Sequence, residues 1–395
     1  MASARDLALQ DPEDSLSLVR SDAFMRLQRR IGLAPKEGLG VGRRALFFAL
    51  LTYVPIAAWA LAQNRALPGS VEEPLLQHFG IHVRCLVAIP LLVIAEQVSH
   101  GITLRLLPQF VHAGLVAPED RARFREVLRG VARLRDRTLP WAIVVGVTLS
   151  VSWLAPPPSA NHELVWAGDP PGGFAFVAFW FDWVMRPVAS VLIFAWLWRL
   201  VLCFVLNARL ARLPVRIVPT HPDGAGGLGF VDLLPMAFSP VVFAMSAVLA
   251  SRWAHEVYYH DLHVAELRPQ MIAFAAFVSV VFLAPILPWI RPLAAAKRTA
   301  ELDYAALVAR HGRLVHQRWI EHQEIGDEPI LSAPELGPVA DTLDLYTAAR
   351  KMKPIPIGRR SLAAILLPAA IPQLLVVALE VPIKDLLLQV ASTLL

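Results

Sequence analysis

The sequence predicts an all-α integral membrane protein, a helical bundle of about seven transmembrane spans with cytoplasmic amphipathic helices. Of its 395 residues 56% are hydrophobic, only 17% are charged, and the mean hydropathy is +0.52. An average soluble domain is about 25% charged, and it has too little interior to bury so large an apolar share. The apolar residues also gather in runs close to the roughly 20 residues that cross a bilayer. Together these observations exclude an ordinary soluble fold.

Seven apolar segments have the length of a span. They cover residues 45–62, 80–98, 139–156, 180–206, 234–253, 269–290 and 361–379. The fourth belongs to an apolar run, 174–207, that as one helix would measure about 51 Å, far more than a hydrocarbon core of about 30 Å. We expect Pro187 to break this run into an aromatic interfacial piece and a span. The last segment is read as a span, or alternatively as a re-entrant hairpin broken at Pro368 and Pro372.

Lysine and arginine alternate between rich and poor loops. The rich segments hold eight up to residue 44, eight in 99–138, three in 207–233 and eleven in 291–360. The poor ones hold one in 63–79, none in 157–173 and one in 254–268. Cytoplasmic loops carry the positive excess, so we expect a cytoplasmic N-terminus. The charged N-terminal stretch lacks the apolar core of a cleaved signal peptide.

We therefore divide the chain into four parts. They are a cytoplasmic basic N-terminal segment (1–44), a transmembrane bundle (45–290), a cytoplasmic helical segment (291–360), and a final span with an amphipathic tail (361–395). Within the bundle, residues 118–138 combine an apolar stripe with an arginine at every fourth position. This pattern favours a cytoplasmic helix on anionic lipid headgroups. A basic vestibule that gathers an anionic solute is the alternative.

Charged residues inside the spans are the first candidate site. Arg84, Glu96, Asp182 and Arg186 lie within or next to apolar segments, where charges are costly and mark substrate pathways or internal pairs. Asp182 and Arg186 are four apart on a helix and can neutralise each other. We expect Arg84 to face an aqueous cavity, and Arg199 and Arg252 to snorkel to opposite surfaces.

The segment HEVYYHDLHVAE (255–266) is the second candidate. On a continuous helix Glu256, His260 and His263 would fall on one face, a geometry suited to a divalent metal, and His78 and His82 could complete the set. The alternative is an ordinary histidine-rich outer loop, because the spacing matches no named metal motif.

The loop PTHPDGAGGLGF (219–230) is the third. Its Gly224, Gly226 and Gly229 match a dinucleotide-binding pattern, but no strand precedes them and a span follows at once. Pro-Asp-Gly is strong turn chemistry, and Asp232 could cap the fifth span. Glycines including Gly227 permit close backbone approach. We interpret the loop as a cytoplasmic gate or docking corner with His221 and Asp223 as its polar handles.

The same loop resembles the hallmark THPDxAGGLG loop of an uncharacterised family of bacterial multi-spanning inner-membrane proteins. The segment DTLDLYTAARKMKPIPIGRR (341–360), followed by the final span, resembles that family too. The resemblance covers roughly 175–395. It implies a bacterial inner (cytoplasmic) membrane and no activity.

Three functions follow as hypotheses. The first is a channel or transporter for a small anionic solute, based on kinked spans, buried arginines and a basic inner surface. The second is a membrane-embedded metalloprotein or enzyme that uses the outer His/Glu cluster with a divalent metal. The third is a membrane scaffold or sensor. We expect a homo-oligomer, and no nucleic-acid partner, because the pI near 9.5 reflects positive-inside loops.

Overall fold

The computed structural model describes residues 15–71, 74–154, 162–167, 173–260, 262–323 and 337–380, which form helices and no strand. In chain order the helices are α1 (Ala23–Arg30), α2 (Val41–Ala62), α3 (Phe79–His112), α4 (Arg121–Asp136), α5 (Leu139–Leu154), α6 (Phe176–Leu210), α7 (Gly229–Tyr259), α8 (Val264–Ile320), α9 (Gly337–Lys351) and α10 (Arg359–Glu380). Among the described residues, six of them are long and apolar enough to cross a membrane, namely α2, α3, α6, α7, α8 and α10. The chain is therefore built as a multi-pass membrane protein.

Six of the seven predicted spans coincide with these helices. The remaining one, 139–156, corresponds to α5, which has 16 described residues and then meets 155–161, outside the described part of the chain. A seventh span thus stays a prediction. The predicted amphipathic tail, 381–395, also lies outside the described residues.

Pro187 does not break the fourth apolar run, contrary to our expectation. A π-helical segment, Phe181–Met185, directly precedes it, and α6 continues unbroken for 35 residues. Proline removes one backbone donor and its ring crowds the carbonyl four residues earlier. That carbonyl, on Trp183, lies in the wider π turn, which accommodates the ring. Pro90 in α3 is accommodated in the same way, because it follows the π segment Val83–Ala88.

The last span is one continuous helix, so the re-entrant hairpin alternative is wrong. α10 runs through both of its prolines. Pro368 cannot donate to the carbonyl of Ala364, and the hydroxyl of Ser239 on α7 donates to that oxygen instead, at 2.6 Å. A neighbouring helix thereby restores the bond that proline removes, as is usual inside membranes.

The largest cluster of buried apolar side chains lies in the half of the bundle that contains the start of α2. There the rings of Trp196 and Phe238 meet at 6.0 Å between centroids, and those of Phe238 and Phe282 at 5.7 Å. The apolar stripe of α4 is buried in this half, with Phe124 fully enclosed, while the side chain of Arg123 is 70% exposed. α8 runs on beyond its apolar part to Ile320 and so forms the first part of the predicted helical segment 291–360.

Candidate functional site

The four predicted pathway residues separate into two groups. Arg84, Asp182 and Arg186 come together near one end of the bundle, whereas Glu96 lies twelve residues further along α3. Twelve helical residues correspond to about 18 Å. The end of the bundle near Arg84 is called the outer end below, in keeping with the predicted orientation, and the opposite one the inner end.

The π-helical segments of α3 and α6 meet at the outer end. The guanidinium groups of Arg84 and Arg186 lie 5.7 Å and 5.1 Å from the ring centroid of Phe181, a distance at which a cation is attracted to the ring face. The side chains of Arg186 and Asp182 form an ion pair at 2.8 Å, which confirms that these two can neutralise each other. The site therefore brings two arginines onto one aromatic ring.

Arg84 also lines a cavity of about 380 Å³ between four spanning helices. Of the lining residues that the structure describes, two are arginines, Arg84 and Arg252, and the others are apolar. The apolar ones come from α3, α6, α7 and α8 and include Ala88, Leu92, Ala189, Ile193, Met245, Val248, Leu249 and Phe274. We call this cavity the arginine groove. It meets the expectation that Arg84 faces a cavity, but the wall of the cavity is apolar.

Both arginines lie at the outer end of the groove. Arg84 is five residues into α3 and Arg252 is near the end of the antiparallel α7, and ring contact between Phe79 and Tyr259 at 6.0 Å fixes these two ends together. The side chain of Arg252 is 71% exposed and pairs with Glu256 at 3.2 Å. Leu92, two turns further along α3 than Arg84, lies at the opposite, apolar end.

Glu96 belongs to a different arrangement, which we call the inner ion network. Its carboxylate pairs with Arg44 at the start of α2 and, at 2.8 Å, with Arg199 on α6. Arg199 also pairs at 2.8 Å with Asp22, whose other oxygen caps α1 by accepting from the Met25 backbone N–H at 2.7 Å. All four charged side chains are at most 1% exposed. The network is sealed and contains two positive and two negative groups.

One sequence expectation fails here, because Arg199 is buried in the network and does not snorkel to a surface. Glu96 forms an internal pair, which is the alternative to a pathway role that the sequence left open. The N-terminal segment, which the sequence identified only as basic and cytoplasmic, packs α1 against the spans. It supplies Asp22 and the buried Gln28, which accepts from Arg44 Nε at 2.5 Å. The sequence gives no sign that Asp22 and Gln28 are buried, because both are polar and contacts between distant segments produce no periodic pattern in the sequence.

Asp223 organises the glycine-rich loop. Its carboxylate accepts backbone N–H groups from Ala225 at 2.8 Å, Gly227 at 3.1 Å and Gly229 at 2.8 Å, and it lies 2.9 Å from His221 Nδ1. Partial burial alone would raise the pKa of Asp223, but these hydrogen bonds outweigh it and hold the pKa below the usual carboxyl value. The two predicted polar handles therefore bind their own loop.

The glycines are required by backbone conformation and by close packing. Gly224, Gly226 and Gly227 have φ of 64°, 64° and 92°, in the left-handed region that favours glycine. A Cβ on Gly226 would lie 2.3 Å from Ile217 Cγ2, and one on Gly229 would lie 2.8 Å from Asp223 Oδ2. The loop is therefore a tightly built corner.

This corner docks onto the segment that leads into α10. The Lys353 N–H donates to the Gly224 carbonyl at 2.8 Å. Asp232 accepts from the backbone N–H groups of Gly358 at 2.7 Å and Ser361 at 3.2 Å. Asp232 thus caps α10, and the prediction that it caps the fifth span is wrong. The two sequence blocks that carry the family resemblance contact each other, which supports the docking interpretation of the loop.

The predicted metal ligands do not share one helical face. α7 ends at Tyr259, His260 is its C-cap, and α8 begins at Val264, so the continuous helix assumed for Glu256, His260 and His263 is wrong. Glu256 pairs with Arg252, His263 Nδ1 lies 3.0 Å from Glu380 Oε1, and His260 contacts the His255 ring at 5.4 Å.

Within the described residues no three His, Cys, Asp or Glu side chains come close enough to hold a metal ion. His78 stacks on His255 at 5.0 Å and His82 Nε2 lies 3.0 Å from the Leu75 carbonyl. Cys85 and Cys203 are both buried and form no disulfide with each other.

No protein-family model, curated protein or solved structure matches this chain. The arginine groove and the inner ion network must therefore be interpreted from their own chemistry. The groove is the better candidate for a ligand site, since it combines an open volume with cationic side chains, whereas the charged groups of the network are fully buried against one another.

Proposed function

We propose that this protein is a multi-pass carrier of the bacterial inner membrane that binds a small anionic solute in the arginine groove. The observation that supports this function is that Arg84 and Arg252 both line one end of a cavity of about 380 Å³ between four spanning helices. That volume falls within the range of about 300–1,000 Å³ typical of small-molecule sites. Cationic side chains inside spans mark solute pathways more often than chance placement would allow.

A carrier explains the groove better than a channel. Glu96, which lies on the same helix as Arg84, is held in a sealed network between α1, α2 and α6. Leu92 is the last residue of α3 that lines the groove, and Val93, Ala95 and Glu96 after it are fully buried, so we infer that the groove ends inside the bundle. A site that is reached from one end requires a conformational change to deliver a solute to the other side.

The π-helical segments of α3 and α6 support such a change. The π segments in α3 and α6 lie beside the groove and touch each other, with Cys85 Sγ 3.2 Å from Met185 Sδ. π-Helical turns occur frequently at functional sites. Arg84 lies in the first of these segments, so a shift in that segment would move a groove arginine directly.

The exposed arginines of α4 would face the negative leaflet in this orientation. Phe124, Leu128 and Val131 are buried against the bundle, which leaves Arg121 and Arg129 free to contact anionic headgroups. This contact would hold the inner end at the membrane surface and is not part of the solute site.

Uptake into proteoliposomes tests the function. Hexanesulfonate is a suitable probe, because its charge is permanent and it crosses a bilayer poorly by itself. We expect protein-dependent uptake of hexanesulfonate and none of hexyltrimethylammonium, which has the same chain and the opposite charge. The double variant Arg84→Ala/Arg252→Ala should lose at least about 90% of this uptake, corresponding to more than about 1.4 kcal/mol of lost binding.

A matched control removes two other arginines of spanning helices. Arg105→Ala/Arg291→Ala changes the same number of charges at exposed positions away from the groove. Its uptake should equal that of the wild type. Equal uptake of both probes, or full uptake by the groove variant, would contradict the proposal.

A further inference from the structure

The arginine groove also indicates what kind of anion it takes. Its polar groups are confined to the outer end, where Arg84 and Arg252 lie, and the wall from Ala88 to Leu92 on α3 is apolar. A hydrated inorganic anion would gain two guanidinium contacts there but would leave most of this wall without a partner. An apolar surface of this kind is stabilised only by contact with another apolar group.

We infer that the ligand is a single-chain anionic amphiphile, with its head on the two arginines and its chain along the apolar wall. This inference rests on the proposed function and specifies its substrate class. Arginine binds carboxylate, sulfonate and phosphate oxygens through a planar pair of N–H donors. Charge complementarity therefore orients the molecule, with its head toward the outer end.

The dimensions of the groove favour one chain over two. Its volume of about 380 Å³ lies near the lower limit for ligand sites. From Arg84 to Leu92 the wall extends about 12 Å along α3, and Ile193, Met245 and Phe274 line it from three other helices. A diacyl phospholipid would have to leave one of its chains outside.

Binding of an alkylsulfonate series tests the inference. Purified protein in nanodiscs of a zwitterionic lipid is titrated with methane-, butane-, hexane- and octanesulfonate, whose heads are identical. We expect the affinity to rise about fourfold with each added methylene, since each buried CH₂ contributes about 0.8 kcal/mol. Alkylsulfonates also partition into the lipid with a similar dependence on chain length. The uptake of empty nanodiscs is therefore subtracted, and the rise should persist in the protein-dependent part.

A variant that narrows the groove separates the chain from the head. Ala189→Leu places a larger side chain in the wall, and Ala58→Leu makes the same change on an exposed face of α2. Ala189→Leu should lower the affinity for octanesulfonate at least tenfold and leave that for methanesulfonate within about twofold. Ala58→Leu should bind both as the wild type does.

The outcomes distinguish the amphiphile inference from the proposed anion-carrier function. Equal affinity for methane- and octanesulfonate, each lost in Arg84→Ala/Arg252→Ala, would overturn the amphiphile inference and leave the anion carrier in place. No binding of any sulfonate would overturn both. Displacement of octanesulfonate by phosphatidylglycerol but not by dodecanoate would identify a two-chain lipid and overturn the single-chain assignment.

Discussion

The two ends of the bundle use arginine in opposite ways. At the inner end Arg44 and Arg199 are completely enclosed, and Glu96 and Asp22 balance their charges. At the outer end Arg84 and Arg252 line an open groove, and Arg252 is mostly exposed. The same residue type therefore stabilises tertiary contacts in one place and offers a ligand contact in the other. What differs is the polar environment that the rest of the chain supplies.

The inner end is also the end that holds distant segments together. The ion network joins α1 to three spans, Asp223 holds the glycine-rich loop, and Asp232 ties that loop to the start of α10. At the outer end the ion pairs of the arginines around the groove are local, since Arg186 pairs with Asp182 and Arg252 with Glu256, each within one helix. Substitutions should therefore cost stability at the inner end and ligand affinity at the outer end.

The largest effect is expected for Glu96→Ala. The substitution leaves two buried arginines without their shared acceptor, and breaking a buried ion pair in this manner costs about 3–5 kcal/mol. The free energy of unfolding in mixed detergent micelles measures it. The control is Glu256→Ala, which removes the partly exposed partner of the exposed Arg252 at the outer end and should cost less than about 1 kcal/mol. Similar losses for both variants would mean that the two ends do not differ as described.

A smaller effect is expected from a pair of alanine substitutions in the inner loop. Gly224 and Gly226 have the same φ of 64°, so alanine is strained equally at both, by about 1–2 kcal/mol. Only at Gly226 does the new Cβ overlap a neighbour, Ile217, which adds about 1–3 kcal/mol of overpacking. Thermal unfolding of the two variants compares them directly. If Gly224→Ala proved at least as destabilising, the tight docking of this corner would be refuted.

The sequence predicted the helical class and six spans well, because apolar runs report directly on the solvent that surrounds them. It also located Arg84, since a charge in an apolar run stands out. It could not predict the inner ion network, because Asp22 and Arg44 lie in a charged segment whose composition is that of a solvated arm. Only the tertiary fold brings them to Glu96.

Two other expectations failed for local reasons. Pro187 was expected to break α6, but the sequence does not reveal whether a π turn will absorb a proline. Asp232 was assigned to the nearest helix, and the structure instead gives it the N-terminus of α10, more than a hundred residues away. Capping patterns in the sequence identify partners on neighbouring residues, but they do not reveal a cap on a helix that is distant in the chain.

The smallest of the expected effects concerns pH and the inner loop. The backbone hydrogen bonds of Asp223 hold its pKa below 3.8, the ordinary value. A group with a lowered folded-state pKa contributes stability above its unfolded-state pKa and loses that contribution as the pH falls through the folded-state value. The wild-type protein should therefore lose part of its stability as the pH is lowered from about 5 to about 3.

Asp223→Asn isolates this contribution. Asparagine keeps one oxygen acceptor but no charge, so it should cost about 1 kcal/mol at neutral pH through weaker bonds to the loop. As the pH falls through the lowered pKa of Asp223, the difference between the variant and the wild type should shrink, because the wild-type carboxyl becomes protonated too. Unfolding curves at matched pH values measure the difference. A difference in the free energy of unfolding that stayed constant over this range would mean that the charge of Asp223 does not stabilise the loop. The proposed contrast, in which charged groups stabilise the inner end, would then be weakened.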